Sequence, residues 1–206
     1  MNMGRRIAIC AAVLFSLLAP FSANAAFPAY AGWVTDSAGA MDSGSVAEIN
    51  RLSAELDQKT SAELAVVTVK SLEGDSVENY ANRLFKEWGI GKKDKNNGVL
   101  ILAAISDRKV RIEVGYGLEP VLTDGFCGSV RDDEMVPLFK RGAYGEGLSR
   151  GAWALASRVA ESAGVKLSGA PPKRHLKSAD LKTILLLVVF VFIIGRVIFA
   201  GFFGWG

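Results

Sequence analysis

The sequence predicts an α/β fold: a three-layer α/β/α sandwich whose mixed, mainly parallel sheet ends in an antiparallel hairpin. Three observations predict it. Residues 64–69 and 99–105 are apolar runs of strand length with almost no alternation, the pattern of strands covered on both faces. Between them Val77, Tyr80, Ala81, Leu84, Phe85 and Trp88 recur at i, i+3, i+4, i+7, i+8 and i+11, one face of a helix. Val110, Ile112 and Val114 then alternate with Lys109, Arg111 and Glu113, a half-buried strand. Strand, helix and strand make a βαβ unit, so its two strands run parallel with a right-handed crossover. The short connection Ser106-Asp107-Arg108 turns the last strand back as an antiparallel partner.

Taken in order, residues 1–25 carry Arg5 and Arg6, an apolar stretch and the small-residue pattern Ala23-Asn24-Ala25, which is a secretory signal cleaved after Ala25. Residues 26–165 form the α/β domain. It opens on an irregular covering segment with a strand or turn at Trp33 to Asp36. Ser45 and Glu48 have capping-box spacing, and Val46, Ile49, Leu52 and Leu56 continue at helical intervals, giving a first helix from Ser45 to Lys59. Asp75 and Glu78 make a second capping box for the helix that Gly89 and Gly91 end.

After the hairpin, Thr123 or Asp124 caps a third helix through Cys127, Val130, Arg131 and Glu134, which Pro137 must break or restart because it has no amide hydrogen. Tyr144 to Gly147 reads as a turn before a last helix carrying Leu148, Ala152, Leu155, Ala156 and Val159. Residues 166–182, basic and holding Pro171-Pro172, are a linker. Residues 183–203 are apolar apart from Thr183 and Arg196. At ~1.5 Å per residue they reach about 30 Å, the length of one transmembrane helix, with residues 204–206 as a short tail. Arg196 either snorkels to the interface or meets an acid on a partner helix.

Composition closes several routes. Without residues 1–25, 22 bases face 21 acids, a balance that suggests neither a nucleic-acid partner nor a polyanionic one. Cys10 leaves with the signal and Cys127 stays alone, so the core must stabilise an exported domain without an internal disulfide. The one histidine, His175, lies in the linker, which excludes Ser-His and Cys-His nucleophilic mechanisms and a His/Cys zinc site. Gly115-x-Gly117-x-x-Pro120 breaks the dinucleotide pattern at its third glycine, so a nucleotide cofactor is unsupported. Asp94-x-Asn96-x-Gly98 starts like a calcium loop, yet Ile105 stands where the twelfth ligand belongs.

What remains is oxygen chemistry at one end of the hairpin. The start of its first strand and the end of its second lie side by side, which brings Asp94, Asn96 and Asn97 near Gly115, Gly117, Glu119 and Asp124 and sends Asp107 to the opposite end. Such a set suits a hard cation. A plainer reading also stands: Lys92, Lys93 and Lys95 neutralise these acids, Glu119 pairs with Arg111 or Arg131, and Asp36 caps a turn through its own backbone.

The run from Trp88 to Asp124, with Trp-Gly-Ile-Gly, Asn96-Asn97-Gly98 and Gly115-Tyr116-Gly117-Leu118-Glu119, resembles the core signature of the TPM-domain family. Trp33-Val34-Thr35-Asp36-x-Ala38-Gly39 resembles its opening motif and Lys140-Arg141-Gly142-x-Tyr144-x-x-Gly147 its closing one. That family includes thylakoid-lumen proteins involved in photosystem repair and bacterial membrane-anchored homologues.

The resemblance implies a divalent cation, calcium before others, held by Asp36, Asn97, Glu119 and Asp124, with Asp94 and Asn96 in support and Gly115 and Gly117 letting the backbone approach. Two functions follow as expectations. One is an accessory module on the extracytoplasmic face of a bacterial inner membrane, tethered by its single C-terminal anchor and docking a membrane-protein partner for assembly or repair. The other is a metal-dependent acid phosphatase, reported for plant members, with Asp124 as its catalytic carboxylate and Lys92, Lys93 or Arg131 on the phosphate. The long glycine-rich tail of many bacterial relatives is missing here, where only Gly201, Gly204 and Gly206 remain.

Overall fold

The structure is a computed structural model describing residues 27–170 and 189–192. The expected signal at 1–25, Arg196 and the tail lie outside those residues, as does most of the span at 183–203, of which 189–192 are helical. Among the described residues no helix is long and apolar enough to cross a membrane. The chain divides into two units, Met1–Ala170 and Pro171–Gly206, and the first holds the folded α/β body.

Four strands form one mixed sheet in the order β1 (Val34–Asp36), β2 (Glu63–Val69), β3 (Gly98–Ala104) and β4 (Lys109–Val114). β1, β2 and β3 are parallel, and β4 returns antiparallel to β3. Among the described residues of the first unit, five α-helices accompany it: α1 (Ser43–Thr60), α2 (Val77–Trp88), α3 (Asp124–Ser129), α4 (Val136–Phe139) and α5 (Tyr144–Ser162). The hairpin connection is four residues, 105–108, one longer than the spacing predicts, because Ala104 still pairs with Lys109 and Arg108 takes a left-handed conformation to close the turn.

Side chains alternate across the two central strands, so each feeds two cores. Leu64, Val66, Val99 and Ile101 pack with Ile49, Leu52 and Leu56 of α1 and Leu148, Ala152 and Ala156 of α5. Ala65, Val67, Leu100 and Leu102 pack with Tyr80, Ala81 and Leu84 of α2 on the other face. Full burial of one such leucine contributes about 1.5–3 kcal/mol. These cores carry the fold, since Cys127 is a free thiol.

Both early helices start elsewhere than the capping-box spacing suggests. Asp42 caps α1 by accepting from the Ser45 amide and hydroxyl, and Ser76 caps α2 by accepting from the Asn79 amide. Asp75 instead accepts from the Ser76 amide and pairs with Arg83 at 2.6 Å. Each site offers neighbouring residues able to cap, and tertiary position selects among them.

The helix from Asp124 restarts at Pro137 and does not end there. It widens into a π-helical segment at Val130–Met135, and Pro137 sits in the first turn of α4, where its missing N–H matters least. Tyr144 to Gly147 is no separate turn but the start of α5. Gly151 on α5 leaves the room that Met135 fills.

The body also runs past residue 165. Lys59 donates to the Lys166 carbonyl and Glu55 accepts the Ser168 amide, so the first residues of the expected linker lie on α1.

Candidate functional site

The open end of the β3–β4 hairpin is built on close backbone approach. The Gly115 amide donates to the Gly98 carbonyl at 2.8 Å and the Gly117 amide to the Asn96 carbonyl at 3.0 Å. A β-carbon on Gly115 would collide with the Asn96 carbonyl, and one on Gly117 with the Lys95 carbonyl. Glycine is required there for space. The turn from Tyr116 to Leu118 is thereby clamped against the loop 92–97, with Leu118 buried and Tyr116 left 78% exposed.

Asn97 is inside this joint and its amide is fully engaged. Its Oδ1 accepts from the Lys92 amide at 2.9 Å, and its Nδ2 donates to the Ser61 carbonyl at 2.8 Å. With 7% exposure it ties the 92–97 loop to the end of α1. Lys92 pairs with Glu63 and with Asp57, and Arg131 with Asp132, so two of the three cations proposed for a phosphate are already committed. Asp94 and Asn96 are exposed on the same loop, Asn96 in a left-handed conformation.

Glu119 and Asp124 do come together. Both line a cleft of about 360 Å³ along the outer edge of β4, with Arg111, Glu113, Thr123 and Cys127. Thr123 caps α3, which presents Asp124 in its first turn. Among the described residues neither carboxylate has a hydrogen bond or ion pair, because Arg111 pairs with Glu113 at 3.2 Å and Glu113 also accepts from Asn82. Burial, with the Asp124 charge adding to it, pushes the Cys127 thiol up to about 11. It is a protonated wall residue at neutral pH and a poor nucleophile.

Asp36 is elsewhere. It ends β1 in register with Thr68 of β2, which pairs with Ala103, whereas Asn97 precedes Gly98 at the start of β3. Because β1 to β3 are parallel, Asp36 lies at the opposite end of the sheet, about 16 Å along the strands at ~3.3 Å per residue. Its carboxylate accepts from the Ala40 and Met41 amides, each at 3.0 Å, and from the Thr68 hydroxyl. That is the turn-capping alternative, and it removes Asp36 from any ion shared with Glu119.

A cation must therefore fit a smaller donor set than the four residues the resemblance implies. No group of three or more His, Cys, Asp or Glu is placed to hold a metal among the described residues. The cleft offers two unpaired carboxylates beside an edge strand whose outer main-chain groups lack a sheet partner. Hard cations accept such donors with water completing the shell. The sequence offers Arg111 only as a partner for Glu119 and does not single out Glu113, its actual partner. Their signal was position: both lie on β4, which ends at Val114 beside the cleft.

An α/β body with helices on both faces of a mixed sheet, and a carboxylate cleft beside its last hairpin, defines the class. The TPM domain family matches residues 34–158, and the chain belongs to it. Among solved structures, the N-terminal domain of a protein from P. gingivalis is 33% identical, covering 67% of this chain and 88% of its own with a TM-score of 0.61. The N-terminal domain of a Corynebacterium glutamicum protein shares the fold at 19% identity, covering 73% and 93%, with a TM-score of 0.50. The BA42 protein of the psychrophilic bacterium Bizionia argentinensis does so at 23% identity, covering 59% and 82%, with a TM-score of 0.51. A search of curated proteins finds no match.

Proposed function

We propose that this protein is an accessory interaction module, held on the extracytoplasmic side of a bacterial inner membrane by its apolar C-terminal segment. Its hairpin end docks a membrane-protein partner, and a divalent cation, calcium before others, is held by Glu119 and Asp124. The observation that carries the reading is Tyr116: a large aromatic 78% exposed, on a turn clamped by two backbone hydrogen bonds, in the loop that leads to both free carboxylates. A fixed exposed aromatic loses little entropy on docking and is a common binding anchor. A bound cation would supply charge that two carboxylates alone lack, so the same surface accepts an acidic or carbonyl-rich partner only when loaded.

A metal-dependent phosphatase is the second reading. Arg111, lining the same cleft as Asp124, favours it, since a phosphoryl oxygen would take over the guanidinium from Glu113, its partner at 3.2 Å. The carboxylates would hold the ion, whose chemistry is to polarise a phosphoryl oxygen.

Calcium titration of the full chain in neutral detergent, followed by phosphomonoester turnover of wild type and Asp124→Ala, separates the two. The module reading expects calcium heat that Asp124→Ala abolishes and no turnover above blank. Calcium-dependent turnover lost in a folded Asp124→Ala protein would replace it with the phosphatase.

A further inference from the structure

A second cavity, of about 490 Å³, opens at the other end of the sheet, between the β3–β4 turn and the connection from α4 to α5. Arg108 and Lys109 line it from the turn, and Lys140 from the far side. Among the described residues none of the three has an ion-pair partner, in contrast to Lys59, Lys92 and Arg131. Three cations brought to one concavity without an acid repel each other, and an anion placed among them relieves that repulsion.

The rest of the wall is apolar, with Val110, Val136 and Phe139 facing the same space and Tyr144 beside them. The volume lies in the range of small-molecule sites. α5 begins at this wall without a side-chain cap, and its first-turn acid, Glu146, is paired with Arg150 at 2.6 Å, so the first-turn amides still favour negative charge. The nearby carboxylate of Asp42, which stands against Gly145, is already held by the Ser45 amide and hydroxyl.

We propose that this cavity binds a phosphomonoester bearing an apolar group. The dianionic phosphate sits among Arg108, Lys109 and Lys140, and the apolar part lies on Val136 and Phe139. Three cations suit a phosphate dianion better than a single carboxylate, and a bare inorganic anion would leave the apolar wall unused. The site is separate from the Glu119 cleft: Lys109 and Val114 are the two ends of β4, roughly 16 Å apart at ~3.3 Å per residue. The source is either a soluble metabolite or the headgroup of a phospholipid.

Calorimetry of the full chain in neutral detergent tests this, with hexyl phosphate as the probe. Saturable binding is expected, at least tenfold tighter than for inorganic phosphate. The Arg108→Gln/Lys140→Gln double variant is expected to weaken it at least tenfold, while Glu119→Gln/Asp124→Asn leaves it unchanged. Both cations are exposed, so the double variant keeps the fold, which its circular dichroism verifies. Displacement of hexyl phosphate by dihexanoyl phosphatidic acid, and not by the matching phosphatidylcholine, assigns the site to a lipid headgroup. Binding that resists this competitor assigns it to a soluble ligand. No saturable heat with wild type, or equal affinity in the folded double variant, overturns the proposal.

Discussion

Gly115 and Asn97 decide whether the hairpin end exists at all. A methyl on Gly115 would strike the Asn96 carbonyl, a main-chain atom unable to rotate away, whereas one on Gly125 would meet nothing within 4 Å. Gly115→Ala should therefore cost about 1–3 kcal/mol in urea unfolding, and Gly125→Ala, inside α3, should be neutral or slightly stabilising. Asn97→Ala leaves the Lys92 amide and the Ser61 carbonyl without their partner and should cost roughly 1–3 kcal/mol. Cys127 gives a reactivity test. With its thiol raised to about 11 behind Leu122 and Val130, it should react slowly with a thiol reagent at pH 8 and quickly once the protein is unfolded. Rapid labelling of the folded protein would contradict its burial.

At the scale of elements, α1 is joined to the chain's last described turn through Glu55. The Lys59 ammonium lowers the Glu55 carboxyl to about 2, burial opposes this, and the Ser168 amide adds to the lowering. A carboxylate depressed in the folded state contributes stability above its unfolded value near 4.5, and that contribution fades as pH falls toward 2. Melting temperature should drop between those two pH values, and Glu55→Gln should flatten that part of the profile while lowering stability at neutral pH.

The strands and the long helices were legible because each depends on a local period, and the close approach of Gly115 and Gly117 came from the family resemblance. The starts of α1 and α2 were not legible, since adjacent Asp and Ser residues compete for the same cap. Nor was the π-helical segment Val130–Met135 that precedes Pro137 and ends where Met135 packs on Gly151 of α5.

Across the whole molecule, two regions of opposite charge occupy opposite ends of one sheet: free carboxylates beside Val114, free cations beside Lys109. Glu119 and Asp124 line one cleft because both follow the same strand within a few residues. The sequence misplaced Asp36, because the direction of a three-residue strand is set by tertiary pairing with β2, which no local pattern records. Had β1 run antiparallel, Asp36 would have reached the hairpin end.

The most direct test of the central claim is a calcium titration of the isotope-labelled full chain followed by amide NMR. Shifts should concentrate in residues 115–124, disappear in Glu119→Gln/Asp124→Asn and persist in Asp36→Asn. Shifts centred on residues 36–41, or a titration untouched by loss of both cleft carboxylates, would contradict it.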